Sequence, residues 1–404
     1  MCSLLRLKGK QINAHQRYCA KNKGSVMKGF TLTKENAKML TKRYATPMEV
    51  ISTSQIENNY RLLHEQIPRL KIFYAIKANP AQCILRKLAV LGANFDVASA
   101  GEIKKLMKLG ITGKRMIYAN PIKTIEGLKT AKEAGITKFT FDSKAEVDKI
   151  REYIPDAEVL ARLKLEKTTA VINLNTKFGA SKDDILALLE YAKEQGLKAS
   201  GICFHVGSQM LSTHTYLEAI LLVRELIDEA RANGIDIKYV DIGGGLPAPA
   251  LNTEVDAKKM MREINEYLEK FLPDVELWAE PGRYMCANAV NIVTSIIGKK
   301  TQDNKEWYYI DDGIYGSFSG VLFDHWDYDI IHFNEGNLIN VTLAGPSCDS
   351  LDIVKQEMLC PEMNIGDIFV ARNAGAYSTV SATTFNGFAI PKTIEWEFEQ
   401  QKGE

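Results

Sequence analysis

The chain has 404 residues, 46% hydrophobic and 25% charged, with a formal net charge of +1. That balance excludes the basic footprint of a nucleic-acid or membrane-surface binder, and the length suffices for two domains. No apolar run approaches the roughly 20 residues of a spanning helix. Seven cysteines (Cys2, Cys19, Cys83, Cys203, Cys286, Cys348, Cys360) show no paired CxxC spacing, so a reduced, cytoplasmic protein without a metal site is expected.

Residues 1–29 carry Arg6, Lys8, Lys10, Arg17, Lys21, Lys23 and Lys28, and no acid precedes Glu35. Such a stretch reads as a basic, disordered extension, an organelle-targeting peptide, or the result of an upstream start with Met27 as the functional one. It is given no catalytic role. The segment 30–45, around Thr31 to Leu40, either packs with a later β domain or caps the unit that follows, the first being expected.

From residue 46 to 285, short apolar runs alternate with amphipathic helical stretches, the pattern of βα units on a parallel sheet. The runs are Ile72 to Asn79, Asn94 to Ser99, Met116 to Asn120, Lys138 to Asp142, Glu158 to Lys164, Gly201 to Val206, Lys238 to Ile242 and Val275 to Ala279. Helical spacing fills the gaps, as in Ser143 to Tyr153, Lys182 to Gln195 and Thr213 to Asn233. Eight runs predict a closed (β/α)8 TIM-like barrel, whose active site lies at the C-terminal ends of the strands. A doubly wound open sheet would gather residues at strand ends too.

Polar residues gather at those ends: Lys77, Asp96, Arg162, His205, Gly243 to Gly245 and Glu280. Lys77 lies in the apolar Phe73-Tyr-Ala-Ile-Lys-Ala-Asn79, where burial would depress its pKa and free the amine for a Schiff base with an aldehyde such as pyridoxal phosphate. A strand-end lysine with its head in solvent is the other reading. Asp241-Ile-Gly-Gly-Gly-Leu246 lets backbone N–H groups approach a phosphate, or is a tight turn. Glu280-Pro-Gly-Arg-Tyr284 offers a carboxylate for a pyridine nitrogen and a guanidinium for a phosphate, or else a structural ion pair. His205 can stack on a flat ring or be a core histidine, and Ser208 can donate to phosphate or cap a helix.

After residue 286 the texture becomes strand-rich, with Trp307 to Ile310, Leu338 to Leu343 and Asp367 to Ala371. A C-terminal, mainly β domain of sandwich or barrel-like form is expected over 286–404.

Phe73-Tyr-Ala-Ile-Lys-Ala-Asn79, Phe95-Asp-Val-Ala-Ser99, Phe204-His-Val-Gly-Ser208, Glu280-Pro-Gly-Arg283, Asp312-Gly-Ile-Tyr-Gly-Ser-Phe318, Phe323-Asp-His325, Gly345-Pro-Ser-Cys-Asp349 with Asp352, and Gly375-Ala-Tyr377 together resemble the pyridoxal-phosphate-dependent decarboxylases of the alanine-racemase-like fold, most closely the ornithine decarboxylases. The resemblance covers about residues 46 to 390. It implies Lys77 as the Schiff-base lysine, His205 on the ring face and Glu280 at the pyridinium. Ser208, Gly243, Gly244, Gly245, Gly282, Arg283 and Tyr377 would hold the phosphate, with Asp96, Glu102 and Arg162 nearby.

The same resemblance implies Cys348 as a proton donor, with Asp324, Asp349 and Tyr315 on the substrate. Cys348 and Asp349 would come from a partner subunit, making a homodimer with shared sites. The implied reaction is decarboxylation of L-ornithine to putrescine and CO2 in polyamine biosynthesis. Lysine or dual lysine/ornithine decarboxylation is the alternative, carboxynorspermidine decarboxylation a lesser variant, and a non-catalytic homologue like the antizyme inhibitors the rival from another class. This chain has Ala78-Asn79 where Cys-Asn is common, and no long C-terminal tail of the kind that directs degradation of animal enzymes, so regulation by an antizyme-like partner is not expected.

Overall fold

A computed structural model describes residues 29–166, 170, 176–248 and 256–402. Most of the basic N-terminal stretch, residues 1–28, lies outside them. Sixteen strands are described: β1 (Met48–Ile51), β2 (Leu70–Ala75), β3 (Asn94–Val97), β4 (Met116–Tyr118), β5 (Lys138–Phe141), β6 (Glu158–Leu163), β7 (Lys198–Phe204), β8 (Tyr239–Asp241), β9 (Glu276–Ala279), β10 (Val290–Gln302), β11 (Lys305–Ile310), β12 (Asp329–His332), β13 (Leu338–Ala344), β14 (Ile353–Pro361), β15 (Ile368–Arg372) and β16 (Lys392–Glu395).

Strands β2 to β9 close into a parallel barrel, with β9 pairing back on β2. Inside it Phe73, Ile117, Leu160, Cys203 and Trp278, from five different strands, form a packed layer that fills the floor beneath the site. The surrounding helices start where polar side chains take up their free N–H groups. Ser52 accepts from Gln55 N, Ser99 from Glu102 N and Thr124 from Gly127 N. Each buries an apolar stripe against the strands, as Ile185, Leu188, Leu189 and Ala192 do from the helix Lys182–Glu194.

The second unit is one eight-stranded sheet in the order β12-β15-β10-β11-β13-β14, with β1 on β10 and β16 on β1. The long strand β10 pairs with β1 and β15 in its first half and with β11 in its second, across a register shift between Ile296 and Gly298. Residues 46–285, expected as barrel, thus include one strand that the barrel does not use. Met48–Ile51 is buried along its whole length, but against Val290–Val293 and Lys392–Glu395. The helix Lys34–Arg43, within the 30–45 segment, packs Ala37 and Leu40 onto Val50, Val293, Val370 and Trp396 of the same layer.

Candidate active site

The C-terminal ends of the barrel strands converge on a hollow lined by Lys77, His205, Ser208, Gly244, Gly245, Glu280, Gly282, Arg283 and Tyr377. A larger hollow of about 470 Å³ on the outer helical layer has Glu57, Arg61 and Lys87 paired among themselves and lies away from these strand ends.

Lys77 sits in the single turn after β2, with its Nζ 2.9 Å from Asp96 Oδ2 on β3. Its side chain is 47% exposed, opening into the hollow, whereas that of Asp96 is 1% exposed. Burial presses the lysine pKa down, but Asp96 and Glu280 more than compensate, so it rises above the ordinary value. The free, depressed amine expected from the apolar sequence is therefore corrected: this ammonium is held charged by Asp96 and Glu280.

Asp96 and Glu280 act on it directly, and Asp241 acts on both of those acids. Asp241, the last residue of β8, is fully buried and pushed up to about 6 by burial and by Asp96. Glu280, just past β9, is raised further by burial and by Asp241. Asp241 Oδ1 accepts from Gly243 N at 2.8 Å, while its Oδ2 has no donor among the described residues. Two adjacent carboxylates offer each other no donor unless one of them is protonated, which is the direction in which burial and mutual repulsion push both.

His205 follows β7. Its Nδ1 accepts from Gly207 N at 2.9 Å, which puts the ring proton on Nε2. Burial, with Arg162 and Lys77 adding like charge, drives its pKa down to about 3, so the imidazole is neutral. The glycines press against it. Gly243 has φ +67° and Gly245 φ +104°, and a Cβ on Gly244 would lie 2.9 Å from Glu280 O and 3.0 Å from His205 Nε2. Side chains are thus excluded from the loop that must bring its N–H groups close to a ligand. Ser208 lines the hollow and caps no helix, since the following helix begins at His214 with Thr213 as its N-cap.

Arg283 does not pair with Glu280. It is 6% exposed, bonded to Asp324, and sandwiched between the rings of Trp326 and Tyr377, at 4.6 and 5.0 Å. Tyr377 has φ 56°, rare for an aromatic residue, and its N–H donates to Ala78 O at 2.9 Å. The second unit therefore reaches the turn that carries Lys77. Gly282 allows this approach, because a Cβ there would lie 3.0 Å from Ala78 Cβ and 3.3 Å from Tyr377 Oη. Glu102 Oε2 accepts from Ala98 N at 2.6 Å, and Arg162 lies over Phe178.

Cys348, Asp349 and Tyr315 do not join the hollow. Cys348 is exposed, with its N–H on Asn386 Oδ1, while Tyr315 donates to Asp349 and stacks on Phe385. Asp324 meets Arg283 in place of an open substrate subsite. Asp241 and Trp326 escaped the sequence reading. An acid closing an apolar run before three glycines was a signal for the first; the second had none.

Buried atoms without partners among the described residues include Asp96 Oδ1, Arg162 Nε, Asp241 Oδ2 and Arg283 Nε, all from residues of this strand-end site. Together with the glycine cradle and the lysine, they fit a flat, anionic, aldehyde-bearing group. A (β/α)8 barrel with this constellation defines a pyridoxal-phosphate enzyme.

Residues 53–287 match the family model described as pyridoxal-dependent decarboxylase, pyridoxal binding domain, and the chain belongs to that family. It is 48% identical over 372 residues to the lysine/ornithine decarboxylase of Selenomonas ruminantium, covering 92% of this chain and 95% of that one. Against the ornithine decarboxylase of Mus musculus the identity is 36% over 346 residues, covering 80% and 75%. The crystal structure of lysine/ornithine decarboxylase from Vibrio vulnificus complexed with cadaverine matches with a TM-score of 0.85 at 34% identity, covering 90% of this chain and 99% of that one. Pyridoxal phosphate is the cofactor of this decarboxylase. Among the described residues no helix is long and apolar enough to cross a membrane.

Proposed function

We propose that this decarboxylase acts on both L-ornithine and L-lysine, releasing CO2 to give putrescine and cadaverine. The dual name borne by the relative at 48% identity supports this over the ornithine-only reading, which rests on the similarity of motifs and on relatives such as the mouse enzyme at 36%. The observation that carries the substrate class is Asp324, a carboxylate paired with Arg283, which lines the hollow. An acid there suits a distal ammonium and repels the distal carboxylate of a substrate such as diaminopimelate.

In this reading Lys77 would hold the aldehyde carbon of the coenzyme, with Asp96 positioning its Nζ. Ser208, the N–H groups of Gly243, Gly244 and Gly245, Arg283 and Tyr377 would hold the phosphate, and neutral His205 would lie on the ring face with Arg162 close by. Glu280 would keep a proton at the ring nitrogen. Bound, pyridoxal phosphate supplies the sink for the electron pair that the leaving carboxylate gives up. Asp324, bonded to Arg283, would lie beside the substrate's distal ammonium. A non-catalytic binding role is disfavoured by the joint presence of Lys77, His205, Glu280, Arg283, Cys348 and Asp349.

Competition among ornithine, lysine, arginine and diaminopimelate, with each amine quantified, tests the substrate class. Ornithine and lysine differ by one methylene, so their kcat/KM values should lie within about 200-fold of each other. Arginine and diaminopimelate should react far more slowly. Unreacted lysine would restrict the enzyme to ornithine, and rapid diaminopimelate turnover would remove Asp324 from the substrate site.

Cys348, Asp349 and Tyr315 are proposed to act in the site of a second copy, where the Cys348 thiol returns a proton to the carbon that lost CO2. Leu322, Phe323, Leu351 and Phe385 are exposed on nearby segments, and Phe323 is 73% exposed, which suits burial by another subunit. Mixing inactive Lys77→Ala and Cys348→Ala subunits in equal amounts should then restore about a quarter of wild-type activity, because half the dimers carry one intact site. A mixture as inactive as its parts would refute shared sites.

A further inference from the structure

One buried carboxylate has no part in the chemistry described. Glu49, in β1, is 1% exposed amid Met48, Val50 and Ile51, all fully buried apolar residues. Burial pushes its pKa up, so an acid at this core position carries a cost that an apolar residue would not. Its bonds reveal what it joins. Oε1 accepts from Asn79 Nδ2 and from Thr379 Oγ1, each at 2.8 Å, and Oε2 accepts from Thr393 Oγ1 at 2.9 Å.

Asn79 lies two residues after Lys77, and its amide also donates to Gly375 O at 3.0 Å while accepting from Ala81 N at 3.0 Å. Thr379 lies two residues after Tyr377, the residue with φ 56° whose N–H holds Ala78 O. Thr393 faces Glu49 across the β1–β16 pairing. A single oxygen, Oε1, thus ties the turn bearing Lys77 to the turn bearing Tyr377, and the other oxygen fixes the carboxylate to the sheet.

We infer that Glu49 is a positioning residue that sets the separation between Lys77 and Tyr377, the two points at which the aldehyde and phosphate ends of the coenzyme are held. This rests on the roles given to those two residues under the proposed function. A carboxylate receiving three donors from three separate segments is rigid in a way that an apolar contact is not. Loss of the shared acceptor leaves the two turns joined by Tyr377 N–H to Ala78 O and Asn79 Nδ2 to Gly375 O, with Thr379 released, and a two-point hold on a rigid ligand weakens when the spacing of its points is less well fixed.

The test compares holoenzymes of wild type, Glu49→Gln, Glu49→Leu, Thr379→Val and Lys77→Ala. Their coenzyme dissociation constants are read by absorbance titration after resolution, alongside melting temperature and borohydride-fixed coenzyme. Glutamine can keep all three bonds: its carbonyl oxygen takes Asn79 and Thr379, and its NH2 donates to the Thr393 hydroxyl. Glu49→Gln should therefore stay within about threefold of wild type, whereas Glu49→Leu should weaken coenzyme binding by at least about tenfold and Thr379→Val should shift it the same way.

Binding within threefold in both Glu49→Leu and Thr379→Val, whatever their melting temperatures, overturns the inference and leaves Glu49 purely structural. If Glu49→Leu gives no folded protein, Thr379→Val decides. Lys77→Ala separates the two levels. Retention of borohydride-fixed coenzyme there overturns the assignment of Lys77, and Glu49's role with it; loss of it, beside normal binding in the Glu49 and Thr379 variants, overturns Glu49's role alone.

Discussion

Lys77→Ala is expected to abolish borohydride-fixed coenzyme and to lower decarboxylation by at least about 10³-fold, the scale on which a covalently engaged, oriented group contributes. Asp96 and Glu280 hold this ammonium at the mouth of the barrel, and the alanine variant leaves both carboxylates facing a coenzyme with nothing to anchor its aldehyde carbon. No neighbour substitutes easily. Lys123 is the lysine that burial does depress, to about 8, but it is sealed beneath the rim with its Nζ on the carbonyls of Asn120, Pro121 and Thr140 and 3.4 Å from Glu146. Absorbance spectra, borohydride labelling and CO2 release measure the outcome together. Undiminished turnover with coenzyme still fixed to the chain would place the anchoring amine elsewhere.

The contrast between these two lysines shows what a sequence can and cannot carry. An apolar run around Lys77 was read as desolvation and a lowered pKa, but the deciding charges, on Asp96 and Glu280, lie on other strands. Lys123 stood in a less suggestive context and is the one that burial depresses. The barrel was more legible. Parallel strands covered on both faces appear as unbroken apolar runs, and these correspond to β2 through β9, overrunning some strand ends because the turns there are themselves buried, as Ile76, Ala78 and Val206 are.

The barrel's outer bound was less legible: Met48–Ile51, outside the eight runs but within residues 46–285, precedes a capped helix as a barrel strand would. Only its pairing with Val290–Val293, some 240 residues on, assigns it to the other sheet. Lys77, His205, Ser208, Gly244, Gly245, Glu280, Arg283 and Tyr377 were each nameable from local motifs and do line one hollow. Their partnerships were not: Arg283 with Asp324, Glu280 with Asp241, and Asn79 with Glu49 join residues far apart in the chain, and no local pattern encodes which acid a buried base will meet.

That dependence on distant partners makes Glu280→Gln the most informative second substitution. Glu280 is driven above the usual carboxylate range by burial and by Asp241, which favours its protonated form beside the place proposed for a ring nitrogen. An amide keeps the shape but cannot make that transfer. Coenzyme should still attach to Lys77, while kcat falls by about 10² to 10³-fold, or roughly 3 to 4 kcal/mol of lost transition-state stabilisation. A second readout follows from Asp241. Its folded pKa, about 6, exceeds the ordinary 3.8, so its contribution to stability is present below 3.8 and is lost as pH rises through about 6. Glu280 is itself raised, so its own contribution is lost in the same direction as pH rises, and the Glu280→Gln substitution, which cannot titrate, removes that part and flattens the slope. Denaturation of the apoprotein between pH 4 and 7 should show wild type losing more stability than Glu280→Gln over this interval. Unchanged kcat together with an unchanged slope would mean that Glu280 neither serves the ring nitrogen nor titrates beside Asp241 in this interval.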